Sequence, residues 1–295
     1  MKDVTVSDDI IYIGADDKTI DLFESQYVVP NGISYNSYLI KDEKIVVMDT
    51  IDKRKTEEWI KNLKNALGEK NPDYLVVSHM EPDHAYNIGL LISEYPNIKI
   101  IGNDKTFTFI SQFFDIPDLD KRKVLVKEGD EINIGKHTLK FFMAPMVHWP
   151  EVMVTYEKTE KILFTADGFG KFGTLDTEEE WECEARRYYF NIVGKYGMQV
   201  QALLKKVATL DVKMICPLHG PILKENLEYY IEKYDTWSSY KAEDEGIFIA
   251  HASIYGNTAH AANELAEMLK KKRSKKCCCN RFNKGRYGRG DRKCV

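Results

Sequence analysis

The sequence predicts an α/β (α+β) chain in which a layered αββα sandwich is followed by a short, incomplete βα unit. Three observations point there. β-rich apolar runs alternate with stretches of helical spacing, which places sheets in the middle and helices outside. Imidazole and carboxylate side chains recur where those runs end, beside Gly or Pro. A charged stretch, 241–245, interrupts the pattern before a new apolar run begins.

The elements follow in order. Runs at 10–13, 34–40 and 44–48 are rich in Ile, Val and Tyr and read as strands, with Asp42-Glu43 as the turn between the last two. Trp59, Ile60, Leu63, Ala66 and Leu67 give 56–67 a helical period, and Gly68 stops it. A buried strand at 74–77 leads into the sequence Ser78-His79-Met80-Glu81-Pro82-Asp83-His84. Helices are predicted at 85–94, 106–114, 177–189, 198–209 and 224–240, and further strands at 98–101, 123–126, 138–143, 153–156 and 162–164. This gives a first domain over 1–243. Past the linker, a strand at 246–250 and a helix at 258–269 begin a second domain, 246–270.

Composition narrows the class. The chain has 295 residues, 43% of them hydrophobic and 12% aromatic, enough for a substantial core. A formal net charge of −4 argues against a dedicated nucleic-acid binder. No apolar run approaches the ~20 residues of a membrane span, and the polar amino terminus lacks a signal peptide, so a cytoplasmic protein is expected. Six cysteines, of which Cys277, Cys278 and Cys279 are consecutive, make no disulfide framework. The stretch 271–295 is basic and loses the apolar pattern. It reads as a disordered tail rather than a nucleic-acid arm, and three adjacent cysteines do not have zinc-site spacing.

The chemistry concentrates after the 74–77 strand. Four metal-capable groups, His79, Glu81, Asp83 and His84, fall within six positions. Pro82 argues against a regular helix, so they are expected on a loop where they converge. Burying that many polar groups is costly unless something positive sits among them, and a pair of metal ions is the simplest candidate. His148, Asp167 and His219 occupy similar strand-end settings. His137 follows Gly135-Lys136 in a hairpin-like turn and reads as solvated, and His251 and His260 read as bystanders. Trp149, Tyr188, Tyr189 and Tyr196 are placed in packing roles, with shielding or hydrogen bonding of the metals as the alternative.

The order His-x-Glu-x-Asp-His followed by His148, Asp167 and His219 resembles the metallo-β-lactamase fold, and Glu81 in place of a second His resembles its flavodiiron branch, the A-type flavoproteins. Phrases 145–150 (PMVHWP), 165–170 (TADGFG), 186–189 (RRYY) and 219–222 (HGPI) agree. The resemblance implies one iron on His79, Glu81 and His148, a second on Asp83, His84 and His219, and Asp167 bridging them. Added carboxylate suits a hard, redox-active iron pair.

Ser253, Ile254, Tyr255, Gly256, Asn257 and Thr258 resemble the first phosphate loop of flavodoxin, with backbone N–H groups at a helix start as the phosphate cradle. The loops that clasp a flavin ring are not present, so FMN is expected to bind weakly or not at all. The resemblance implies an oxidoreductase that reduces O2 to water or NO to N2O. Its electrons come through FMN from rubredoxin or a similar donor, in a head-to-tail homodimer or a tetramer. Two alternatives stand beside it: a zinc hydrolase of the same fold, against which Glu81 argues, and a non-catalytic metal-binding or gas-sensing remnant.

Overall fold

The computed structural model describes Val4 and residues 6–243, 245–272 and 277–281. Two compact units divide after Ser239.

In the first unit, six strands form one sheet in the order Ile10–Tyr12, Tyr38–Ile40, Val46–Met48, Tyr74–Val76, Lys99–Gly102 and Lys123–Leu125. The first three run antiparallel and the rest parallel. A second sheet has the order Glu131–Asn133, Thr138–Met143, Met153–Glu157, Ile162–Phe164 and Met214–Cys216, with only the last pair parallel. Successive strand residues point to opposite faces, and both faces are buried. Val46, Met48, Val76 and Ile101 meet Phe141, Met153, Ile162 and Phe164 in the inter-sheet core. Their neighbours Val47, Leu75 and Ile100 join the core beneath Trp59, Leu63, Ile88 and Ile110 on the flanking helices. Both cores are therefore dictated by period-two strands set against helices of period 3.6.

The helix Thr56–Leu67 turns Trp59, Leu63 and Leu67 inward at a spacing of four, carries Glu57 and Glu58 in its first turn, and ends at Gly68, whose φ of 62° suits glycine. Asn103 closes a capping box on Asp104–Phe113, two residues earlier than its apolar pattern begins. The run 34–40 is not one strand. Ile33–Tyr35 pairs with Ala15–Asp17, while Tyr38–Ile40 belongs to the large sheet. Asn36 makes the crossing, donating to the carbonyls of Pro217 and Gly220 at 2.8 Å each. The helix predicted at 177–189 begins only at Trp181 and passes into a π-turn at Tyr189–Val193.

Pro82 does not keep helix out of the 78–84 segment. Pro82–Ala85 form one helical turn with proline at its first position, where the missing N–H has no intrahelical partner to lose.

The second unit contains the predicted strand, Ile247–His251, and helix, Asn257–Lys271. It differs from expectation past the helix. Cys277–Arg281 is a strand paired in parallel with Ile247–His251, which satisfies one edge of what would otherwise be an orphan strand. The remainder of the predicted disordered tail, 273–276 and 282–295, lies outside the described residues. Among the described residues no helix is long and apolar enough to cross a membrane.

Candidate metal centre

Residues 49 and 50, just past a central strand, hold both ends of the 78–84 segment. The Asp49 carboxylate accepts Ser78 N–H at 2.6 Å and His79 N–H at 3.4 Å. The Thr50 hydroxyl and N–H both donate to the His84 carbonyl, at 2.7 and 3.0 Å. Burial lifts the Asp49 carboxyl to about 6, although Ser78 and His79 pull against it. Asp49, Met146, Ala166 and Phe169 all sit in the left-handed region, at φ of 55°, 65°, 50° and 66°. Backbone strain of about 1–3 kcal/mol per residue is thus concentrated beside the ligand-type side chains.

The seven side chains converge. His79 Nε2, Glu81 Oε2, His148 Nε2 and Asp167 Oδ2 form one group: His148 Nε2 is 3.0 Å from Glu81 and 2.9 Å from Asp167, and 3.3 Å from His79 Nε2. Asp83 Oδ2, His84 Nε2 and His219 Nε2 form a second, with separations of 3.1–3.4 Å. Asp167 turns Oδ2 to the first group and Oδ1 to the second, where it lies 3.2 Å from His84 Nε2. One carboxylate therefore faces both.

The donor set suits cations. His219 Nδ1 is 2.7 Å from the Ser34 carbonyl, which can only accept, so Nδ1 carries the proton and Nε2 presents a lone pair. His79 Nδ1 lies 2.8 Å from Glu151 Oε1 and is fixed in the same sense. Both Asp83 oxygens and Asp167 Oδ1 are buried without an aligned hydrogen-bond donor. With neutral imidazoles the seven groups carry three negative charges, which a pair of divalent ions would offset with one positive charge to spare. The protein's own groups register the imbalance. Burial lifts Asp83 to about 7 against the attraction of His84. Burial opposes protonation of His148, yet Asp167 and Glu81 carry its imidazole up to about 9.

Aromatic rings close the sides. Phe23, Tyr35 and Tyr188 lie 5.4–5.8 Å from the His219 ring, and Trp149 stands 5.4 Å from His79. Trp149 also packs on Phe109, so it both shields the site and fills the core. Side-chain exposure is 15% for Glu81, 10% for Asp83 and 9% for His148, against 0–1% for the other four. The opening therefore lies over those three.

Asp49, Thr50, Glu151 and Ser34 escaped sequence reading. Asp49 is the only one with a signal, a carboxylate closing an otherwise apolar strand. His137 was misread: it is buried, with Nδ1 2.7 Å from Asp42 and Nε2 3.2 Å from Glu160. Its partners lie 95 and 23 positions away, which the Gly135-Lys136 turn does not reveal.

In the second unit, Ser253 to Thr258 connect strand to helix as predicted. Gly256, at φ 92°, is the N-cap, and no side chain caps the helix behind it. Ser253 Oγ accepts Gly256 N–H at 3.0 Å, and Ile254 and Tyr255 point into solvent. His260 is exposed.

Residues 33–220 match a family described as ODP family beta lactamase. The chain is 32% identical to the flavo-diiron protein FprA2 of Clostridium acetobutylicum over 92% of its own length and 70% of that protein's. The chain belongs to the flavodiiron family. The anaerobic nitric oxide reductase flavorubredoxin of Vibrio vulnificus is 33% identical over 90% of this flavodiiron chain, which spans only 55% of that relative. Among solved structures, the flavodiiron protein of Giardia intestinalis superposes with a TM-score of 0.86 at 26% identity, covering 95% of this chain and 70% of the other. Rubredoxin oxygen:oxidoreductase from Desulfovibrio gigas gives 0.85 at 27%, covering 94% and 71%.

Proposed function

We propose that this flavodiiron chain is an oxidoreductase that reduces O2 to water, NO to N2O, or both, at a pair of iron ions. His79, Glu81 and His148 would hold one ion and Asp83, His84 and His219 the other, with Asp167 shared between them. The observation that carries this reading is the division of Asp167, one oxygen to each group. Bound there, an iron pair would supply the redox chemistry that reduces the gas. The chain's own residues do the rest. Asp167 fixes the spacing of the two positions. Hydrogen bonds to Glu151 and the Ser34 carbonyl hold His79 and His219 with Nε2 turned inward. Trp149, Phe23, Tyr35 and Tyr188 exclude bulk water. The slight exposure of Glu81, Asp83 and His148 marks the side from which a diatomic molecule would enter.

The loop of Ser253, Ile254, Tyr255, Gly256, Asn257 and Thr258 would take the phosphate of FMN, because the helix Asn257–Lys271 that it opens has no side-chain cap, and such an N-terminus favours an anion. FMN, expected to bind this loop weakly, would carry electrons from a donor of the rubredoxin class, and two chains would pair head to tail so that the flavin site of one serves the metal site of the other. The reading is tested by supplying reduced, iron-loaded protein with O2 or NO and following gas uptake. Uptake of at least one gas is expected. An iron-loaded protein that consumes neither, or purified protein whose metal is zinc, would overturn it.

A further inference from the structure

We infer that Glu151 makes the two metal positions unequal, so that the position on His79, Glu81 and His148 binds its ion more tightly and fills first. The inference rests on the two-metal reading above.

The two positions share Asp167, and each has one further carboxylate, Glu81 or Asp83. They differ behind the imidazoles. His79 Nδ1 is 2.8 Å from Glu151 Oε1, and the same oxygen accepts Met80 N–H at 2.8 Å, so the carboxylate is fixed in place by its neighbour's backbone. Glu151 is fully buried, and its Oε2 has no hydrogen-bond partner among the described residues. No water shell screens this charge, and the pull of the carboxylate falls on the His79 proton. An imidazole whose N–H is bonded to a carboxylate is a stronger metal donor, with partial imidazolate character. The other position has nothing comparable. His219 Nδ1 meets only the neutral Ser34 carbonyl, and His84 Nδ1 is buried with no partner among the described residues. Counting carboxylates, the first position therefore has Glu81, Glu151 and its share of Asp167, and the second has Asp83 and its share of Asp167.

Glu151 takes no part in sheet pairing. It lies in the loop between two antiparallel strands, and its carbonyl is gripped separately by Asn103 Nδ2 at 2.6 Å. Substituting the side chain leaves that grip intact. Glu151→Gln keeps an oxygen for His79 and Met80 while removing the charge.

The test is an anaerobic titration of the metal-free full chain with Fe(II) against a competing chelator, comparing wild type with Glu151→Gln. Wild type should show two separated steps. In the variant the tighter step should weaken about 10–100-fold, the range seen when partners of metal-bound imidazoles are removed, while the weaker step stays put. A variant with the same two steps as wild type would overturn the inference, as would a wild type whose ions bind with equal affinity. If Glu151→Gln fails to fold, wild-type crystals given one equivalent of iron decide the matter by anomalous scattering. A peak among His79, Glu81 and His148 supports the inference, and equal peaks or a peak at Asp83, His84 and His219 refutes it. No iron uptake by wild type would sink the two-metal reading as well, which distinguishes the two failures.

Discussion

Among the described residues, two clusters of histidine and carboxylate are built on opposite principles. Around His137 every charge is answered within the protein. Its two ring nitrogens meet Asp42 and Glu160, Asp42 also accepts the N–H groups of Glu43, Lys136 and His137, and Lys136 pairs with Asp9. Around Asp167 the imidazole nitrogens of His79 and His219 turn lone pairs inward, and Asp83 and Asp167 keep oxygens without an aligned donor. Residue types alone do not separate the clusters, since Asp9, His137 and Glu160 also lie within metal-binding range of one another. Whether the donors are already spent does. A cluster that balances itself is structural, and one that leaves its acceptors facing each other needs cations.

The contrast can be broken by mutation. Asp167→Ala removes the shared ligand and should lower iron content and gas uptake by at least about 100-fold, beyond the usual effect of losing an outer partner. Metal analysis and an oxygen electrode check both. Chelation of iron should lower the melting temperature of wild type, since ions at 1,000 times their dissociation constant add about 4 kcal/mol per site. The same chelator should leave Asp167→Ala nearly unmoved in calorimetry.

Asp49→Ala strands two buried N–H groups and should destabilise the fold by about 2–4 kcal/mol, with most of the loss recovered in Asp49→Asn, as read from urea midpoints. His137→Gln should cost about 1.5–3 kcal/mol without changing iron content. Its pH dependence has a definite sign. Burial opposes protonation of His137, but Asp42, Glu160 and Glu157 outweigh it and raise the folded pKa above the unfolded 6.5. The clasp is therefore fully present below pH 6.5 and is lost as pH rises through the folded value. Wild type and variant should converge in stability above that point.

The same contrast explains what could be read in advance. All seven ligand-type residues follow strands, and five of them lie directly beside Gly, Pro or one another, so strand ends gave them away. Their supports did not. Glu151 looks like an ordinary surface glutamate after Trp149-Pro150, and only the fold places it behind His79. His137 suggested a solvated turn because Asp42 and Glu160 come from other hairpins. Pro82 suggested a loop because proline was weighed as a helix breaker and not as a helix starter. The strand at Cys277–Arg281 was hidden because its run carries none of the β-branched residues that mark the others.

The most direct measurement is the iron count and Mössbauer spectrum of anaerobically reconstituted protein. The account predicts a pair of irons per chain that behave as one magnetically coupled unit through the Asp167 carboxylate. A single isolated iron, or two irons with no coupling, would contradict it.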